Sequence, residues 1–164
     1  MSKKILIVED EIFVALEIEQ IVQDAGFDVG GIAADREAAM AAAESCDIAL
    51  VDLNLRDGPT GPAIGMELAS RFGIKVIYVT ANPAQIGPAA IAALGVVTKP
   101  FRAQSIAQTV RLAATEAADL ATAEIAGFTP FPPPRDAVIG AFQSGCAHCS
   151  VTIDPKCCDL RICN

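Results

Sequence analysis

The chain has 164 residues, of which 52% are hydrophobic and 20% are charged, and its formal net charge is −8. This length fits one ordinary domain with an appendage, and the hydrophobic content is sufficient for a buried core. No stretch approaches the ~20 uninterrupted apolar residues of a membrane span, and the basic residues are scattered, which argues against a membrane protein and against direct DNA binding.

Short apolar runs rich in isoleucine and valine alternate with helical patterns along the first 126 residues. In chain order the predicted elements are strand 5–8, helix 11–25, strand 29–33, helix 36–45, strand 48–51, helix 64–71, strand 75–79, a weaker helix 86–94, strand 95–98, and a long helix from about 103 through 126. Asp35 is placed to cap the second helix, and Gly26 and Gly73 to end the first and third. This alternation predicts a doubly wound α/β fold, a five-stranded parallel sheet covered by helices on both faces.

The composition changes after residue 120. Residues 127–134 contain four prolines and cannot continue a helix, which predicts a linker or a stiff arm wrapped around the domain. Five of the six cysteines fall within residues 146–163, so we expect a domain over 1–120 and a C-terminal extension over 121–164. Cys146 and Cys149 form a Cys-x-x-Cys pair, and a metal site, disulfides and an extension without function all remain open for this tail.

Polar residues that could take part in catalysis or binding lie at the ends of four of the predicted strands. Glu9 and Asp10 follow the first, Asp52 ends the third, Thr80 follows the fourth and Lys99 follows the fifth. In doubly wound sheets the functional groups gather beyond the carboxyl ends of the strands, so these side chains are expected to converge. Clustered carboxylates repel one another unless a hard cation lies among them, which predicts a Mg²⁺ site.

The two remaining strand ends suggest what else the site could bind. The hydroxyl of Thr80 and the ammonium of Lys99 could bind oxygens of a phosphoryl group and neutralise the charge that develops during its transfer. Each residue alone has a plainer interpretation, since a carboxylate after a strand is often a helix cap, and for Glu11 that interpretation is favoured. The ordered set of residues at the strand ends favours a site.

This set resembles the receiver family of two-component signalling over about residues 3–120. The matching features are an acidic pair after the first strand, an aspartate after the third, Thr-Ala after the fourth and Lys-Pro-Phe after the fifth. The resemblance implies that the phospho-acceptor is Asp52, that the Mg²⁺ ligands are Glu9, Asp10, Asp52 and the backbone carbonyl of Asn54, and that Thr80 and Lys99 contact the phosphoryl group. It also implies a flavodoxin-like (βα)5 fold and a cis peptide bond before Pro100.

The resemblance also implies partners. They are a sensor histidine kinase or phosphotransfer protein as phosphoryl donor and a downstream protein as target, with no DNA and no membrane. The protein would be a signalling switch that catalyses only its own Mg²⁺-dependent phosphorylation and dephosphorylation. The N-terminus lacks the pattern of a secretory signal, so the expected compartment is the cytoplasm. The sequence around residues 52–61 is similar to that of alphaproteobacterial stand-alone receivers, which often pair with HWE-type histidine kinases.

The chain departs from the usual receiver pattern in two places. The loop at residues 55–62 is longer than is typical and lacks an early proline, and Val96 occupies the position where many receivers have a switching Tyr or Phe. Tyr78 is expected in the core. Two alternatives stay open: a receiver-like binding module that is not phosphorylated, and a haloacid-dehalogenase-like phosphatase, which needs an aspartate where this chain has Asn54.

Overall fold

A computed structural model describes residues 2–115 and 124–132 of the chain. The cysteine-rich tail and the residues between these two ranges lie outside the described residues, so the three interpretations of the tail stay open. Among the residues that are described, no helix has the length and apolar character needed to cross a membrane.

Helices and strands alternate through the described residues. The strands are β1 (Lys4–Val8), β2 (Asp28–Ala33), β3 (Ile48–Val51), β4 (Lys75–Thr80), β5 (Ala93–Thr98) and β6 (Phe128–Pro130). The α-helices are α1 (Ile12–Asp24), α2 (Arg36–Ala43), α3 (Gly61–Phe72) and α4 (Ala103–Ala114). Two 3-10 helices, Pro83–Gln85 and Gly87–Ala92, connect β4 to β5.

The strands form one sheet in the order β2-β1-β3-β4-β5-β6. The first five are parallel, in the order of a flavodoxin-like sheet, and strand order reverses between β1 and β3. Alternate strand residues face opposite layers: Leu6 packs with α2 and α3, and Ile7 packs with α1 and α4. Both faces are buried, which explains why the central strands read as continuous apolar runs. The predicted doubly wound α/β class is confirmed.

The predicted helix boundaries are confirmed where capping residues define them. The side chain of Asp35 accepts a hydrogen bond from the backbone N–H of Ala38 at 2.9 Å and begins α2. Gly73 ends α3 with a φ of 67°, a left-handed conformation that glycine adopts without steric cost. Gly26, with a φ of 91°, lies in the turn after α1.

The α-helix predicted at residues 86–94 is wrong. The chain forms two 3-10 helices there, and β5 begins at Ala93, two residues before its predicted start. Pro83 and Pro88 cannot donate backbone hydrogen bonds, and Gly87 takes a φ of 52°, so a continuous α-helix has no support in this segment.

The last predicted helix is too long at its C-terminal end. α4 ends at Ala114, Thr115 is extended, and residues 124–127 are not helical. The ammonium of Lys75 donates to the carbonyls of Ala113 at 2.7 Å and Thr115 at 3.0 Å, which supplies partners that the last turn lacks within the helix. Alanine content favours helix but does not fix where the helix stops.

A sixth strand, which the sequence did not predict, lies at the β5 edge of the sheet. β6 pairs antiparallel with β5, with Val96 opposite Thr129. Part of the proline-rich segment therefore belongs to the sheet, because an edge strand offers a row of backbone donors and acceptors that a short extended segment can satisfy. The domain boundary at residue 120 stays a prediction.

Candidate functional site

Four of the predicted site residues lie at one edge of the sheet. Glu9 follows β1, Asp52 follows β3, Thr80 ends β4 and Lys99 follows β5. These four strands are consecutive parallel neighbours, so their carboxyl ends meet at the same edge. The expected convergence of these residues rests on the parallel pairing that the sequence predicted.

Lys99 joins the two carboxylates that are most enclosed. Its Nζ donates to Oε2 of Glu9 at 2.7 Å and to Oδ2 of Asp52 at 2.8 Å. Glu9 is only 3% exposed, and the side chains of Asp52 and Lys99 are 12% and 18% exposed. The two carboxylates therefore share one cation in a space that solvent scarcely reaches, where electrostatic interactions are stronger than in water.

Burial and neighbouring charges have opposite effects on the pKa values of Glu9 and Lys99. Burial raises the pKa of Glu9, and the hydrogen bond and charge of Lys99 offset only part of that effect. Burial disfavours the ammonium of Lys99, but the hydrogen bonds to Asp52 and Glu9 outweigh it and raise the pKa of Lys99. Lys99 is thus held as a cation at neutral pH, opposite Asp52.

Asp52 is held by its own backbone surroundings. Its N–H donates to the carbonyl of Val8 at 2.9 Å, and its Oδ1 accepts from the N–H of Leu53 at 2.6 Å. A Cβ at Gly61 would lie 2.0 Å from the carbonyl oxygen of Asp52, so only glycine allows α3 to begin this close to the end of β3. Gly61 therefore fixes the loop that follows Asp52.

Thr80 forms a hydrogen bond within its own loop, whereas Asn54 forms one with a separate loop. Thr80 is buried, and its Oγ1 accepts from the N–H of Asn82 at 3.2 Å. The side-chain amide of Asn54 donates to Oε1 of Gln85 at 3.1 Å, which connects the loop after β3 to the first 3-10 helix.

Asp10 is not part of the Glu9–Lys99–Asp52 cluster. It is exposed, and it lies near Arg56, whose pKa is raised first by the hydrogen bond and charge of Asp35 and further by the charges of Asp57 and Asp10. Across residues 2–115 and 124–132, no three His, Cys, Asp or Glu side chains are grouped closely enough to hold a metal ion. The structure thus brings two of the three predicted carboxylates, Glu9 and Asp52, together through Lys99.

The long loop after β3 is tied down rather than loose. Leu55 and Gly58 exchange backbone hydrogen bonds at 2.8 Å, which closes a tight turn. Arg56 forms an ion pair with Asp35, and Asp57 accepts from the N–H of Arg36 at 3.1 Å. The departure from the usual receiver loop therefore gives a fixed structure that is anchored on the start of α2.

The family comparison bears directly on this arrangement. A family model described as "Response regulator receiver domain" matches residues 5–111. The match covers more than half of the chain and every predicted site residue. The chain belongs to this receiver family.

Individual relatives agree with the family match. The receiver is 38% identical over 86 residues to the phyllosphere-induced regulator PhyR of Methylorubrum extorquens, a match that covers 51% of this chain and 32% of that protein. The chain thus spans about a third of the length of this curated relative. Among solved structures, the PhyR receiver domain of Erythrobacter litoralis is 30% identical, with a TM-score of 0.64 over 71% of this chain and 96% of that one. PhyR of Brucella abortus is also 30% identical, with a TM-score of 0.60 over 69% and 48%.

Receiver domains typically use Mg²⁺ at their phosphorylation site. The donor set of this receiver fits such an ion, because oxygens of Glu9 and Asp52 already converge on one cation, the ammonium of Lys99, and carboxylates are the hard ligands that Mg²⁺ prefers. Asp10 directly follows Glu9 and is accessible to join them. Two carboxylates of the kind that Mg²⁺ prefers therefore converge here, and exposed Asp10 follows Glu9 in the chain.

The interior of this receiver differs from the usual pattern at position 96. Val96 is buried, and no aromatic ring is available there to change its exposure. Tyr78 is fully buried, as expected, and its hydroxyl donates to the carbonyl of Pro62 at 3.3 Å at the start of α3. The Lys99–Pro100 peptide bond is cis, which confirms that prediction.

Three contributors to the site were missed at the level of sequence. Gly61 could have been suspected from its position just before Pro62 at the end of the loop. Arg56 and Gln85 carry no local signal, because their contacts with Asp35 and Asn54 depend on how separate loops meet.

Proposed function

We propose that Asp52 accepts a phosphoryl group from a phosphohistidine of a sensor histidine kinase or phosphotransfer protein. The observation that carries this proposal is the double hydrogen bond of Lys99 to Glu9 and Asp52 at the meeting point of four strand ends. A nearly buried aspartate lies there within hydrogen-bond distance of an ammonium, which can neutralise charge as a carboxylate oxygen attacks phosphorus.

The proposed step exchanges a phosphorus–nitrogen bond for a phosphorus–oxygen bond. A carboxylate oxygen of Asp52 attacks the phosphorus atom, and the imidazole leaves with the electron pair of the broken bond and takes up a proton. Lys99 then donates to a phosphoryl oxygen in place of its bond to the Asp52 carboxylate. The hydroxyl of Thr80, at the end of the neighbouring strand β4, would donate to another phosphoryl oxygen.

Glu9, Asp10, Asp52 and the backbone carbonyl of Asn54 would hold Mg²⁺ in this receiver. When bound, the ion neutralises charge on the transferring group. The chain's own contribution is to keep Glu9 and Asp52 oriented through Lys99 and to exclude most of the solvent around them. Asp10 supplies the accessible carboxylate of the set.

The surface next to the site supports a protein partner. Ile12, Phe13 and Leu16 are exposed on the first turns of α1, directly after Glu9 and Asp10. Exposed apolar side chains grouped beside a reactive group suit contact with another protein. We propose that the receiver acts by such contacts in the cytoplasm, first with its donor and then with a downstream protein. Pairing with an HWE-type kinase stays a prediction.

Intact-mass measurement tests the reaction. The full chain is incubated with Mg²⁺ and acetyl phosphate, and the wild-type protein is expected to gain the mass of one phosphoryl group. Asp52→Asn should gain none. Asp57→Asn is the matched control, because Asp57 is an aspartate in the following loop that contacts Thr60 and Arg36 rather than Lys99.

The outcomes separate the alternatives. Equal phosphorylation of wild type and Asp52→Asn would show that another residue is modified. No phosphorylation of wild type by either acetyl phosphate or a phosphohistidine donor would favour a receiver-like binding module. Turnover of p-nitrophenyl phosphate that depends on Asp52 would instead indicate a phosphatase.

A further inference from the structure

Residues 125–131, called the strap below, lie along the outer edge of β5. The N–H of Thr98 donates to the carbonyl of Gly127 at 2.9 Å, and the N–H of Phe131 donates to the carbonyl of Leu94 at 2.9 Å. Between these bonds β6 pairs with β5 in register. The strap therefore spans β5 from its first residues to its last.

The side chains of the strap fit this edge specifically. Phe128 is 7% exposed and packs in the layer formed by α1 and α4. A Cβ at Gly95 would lie 2.5 Å from both the ring of Phe128 and the carbonyl oxygen of Thr129, so glycine is needed for the strap to seat. The hydroxyl of Ser105 donates to the carbonyl of Ala126 at 2.6 Å, which ties the strap to the first turn of α4.

The strap is hydrogen-bonded to the residue that precedes Lys99, and Lys99 is hydrogen-bonded in turn to Thr80. Thr98, which the strap holds through Gly127, immediately precedes Lys99. On the opposite side, the N–H of Lys99 donates to the carbonyl of Thr80 at 2.9 Å. The end of β5 is thus fixed on one side by the strand that carries Thr80 and on the other by the strap.

We propose that the β5 edge is a docking surface, that residues 125–131 are its resident occupant, and that a phosphoryl group on Asp52 weakens their docking. This inference rests on the proposed function of Asp52. A phosphoryl group on Asp52 would draw Lys99 and Thr80 toward its oxygens, and the backbone would pass this pull to the end of β5. The strap resists that shift because it holds Thr98 through Gly127 and α4 through Ser105. Docking of the strap therefore opposes the phosphorylated state, and by linkage that state opposes docking.

Amide hydrogen exchange on the full wild-type chain tests whether a phosphoryl mimic weakens docking of the strap. With Mg²⁺ and beryllofluoride as the phosphoryl mimic, the amides of Thr98 and Phe131, which form the hydrogen bonds between strap and β5, are expected to lose protection. The amides of β1 and β3 serve as the internal reference, since they lie in the centre of the sheet. Bound beryllofluoride with unchanged protection at these two amides would overturn the proposal.

Affinity measurements test the reciprocal effect, that loss of strap docking strengthens binding of the phosphoryl mimic. Gly95→Ala displaces the strap from the side of β5, and Phe128→Ala loosens it without altering β5, so both are expected to bind beryllofluoride about fivefold more tightly than wild type. Thr129→Ala, an exposed position on β6, is the matched control and should bind like wild type. Unchanged affinity in Phe128→Ala would refute the coupling even if Gly95→Ala failed to fold. If wild type bound no beryllofluoride, the phospho-acceptor assignment of Asp52 would fail, and the coupling with it.

Discussion

Tyr78, the single tyrosine of the chain, reports on packing between β4 and α3. Burial raises the pKa of Tyr78 from an ordinary 10.0 to about 12. The folded protein therefore binds the phenol proton more tightly than the unfolded chain. This contribution to stability is fully present below pH 10 and is lost as the pH rises from 10 toward 12.

Alkaline titration followed by tyrosinate absorbance checks this prediction. The folded protein is expected to ionise near pH 12 or only as it unfolds, and the urea-unfolded chain near pH 10. Tyr78→Phe removes the absorbance signal and the hydrogen bond to Pro62. The stability of this variant should no longer decrease between pH 10 and 12 because of ionisation at position 78. Ionisation of the native protein near pH 10 would mean that the hydroxyl is open to solvent.

Lys99→Ala is expected to impair phosphorylation far more than folding. Loss of the ammonium removes a phosphoryl contact, which should slow phosphorylation by about 100–1000-fold. The free energy of unfolding should fall by less than the ~3–5 kcal/mol of an unpaired buried charge, because Glu9, whose pKa is already raised, can bind a proton instead. Rates by intact mass and stability by urea denaturation measure the two effects.

Lys4→Ala is the control for this substitution, since Lys4 is exposed at the opposite end of β1. It should leave the rate of phosphorylation unchanged. A Lys99→Ala protein that is phosphorylated and responds like wild type would show that the Lys99 ammonium is not needed for the reaction.

At the scale of elements, the segment between β4 and β5 is the one most open to rearrangement. Short 3-10 helices have poorer hydrogen-bond geometry than α-helices, and this segment is fixed mainly by buried Ile86 and Ala89 and by the bond of Gln85 to Asn54. With Val96 in place of an aromatic switch, residues 82–94 are expected to carry the response to phosphorylation.

Hydrogen exchange with and without beryllofluoride in Mg²⁺ measures this response. Protection within residues 82–94 should change, and Gln85→Ala should already show part of the change without the mimic, because the contact with Asn54 is lost. Gln20→Ala on α1, which removes a comparable surface bond to Asp24, is the control. A response confined to other regions would exclude this route.

At the scale of the whole molecule, most of the fold follows from the sequence because the physical signals are local. The apolar runs of β1, β3 and β4 are buried on both faces, and Asp35 and Gly73 mark helix ends by their own backbone requirements. β6 escaped prediction because three residues, Phe-Thr-Pro, become a strand only when a neighbouring edge is available.

The site too was predictable only in part. The order of acidic, hydroxyl and ammonium groups at strand ends predicted that Glu9, Asp52 and Lys99 would meet, because parallel pairing brings those ends together. The position of Asp10 beside Arg56, and the contact of Asn54 with Gln85, depend on loop conformations that no local pattern specifies.

The order of synthesis gives the β5–β6 pairing a further consequence. β6 pairs with β5 but is translated about 30 residues after it, which takes about 2–6 s at ordinary elongation rates. During that interval the nascent chain presents β5 as an open edge, with Leu94 and Thr98 lacking the backbone partners that Phe131 and Gly127 later supply. Open strand edges invite pairing with other chains. Among the strands that the structure describes, the last to leave the ribosome is therefore the one that closes the β5 edge of the sheet.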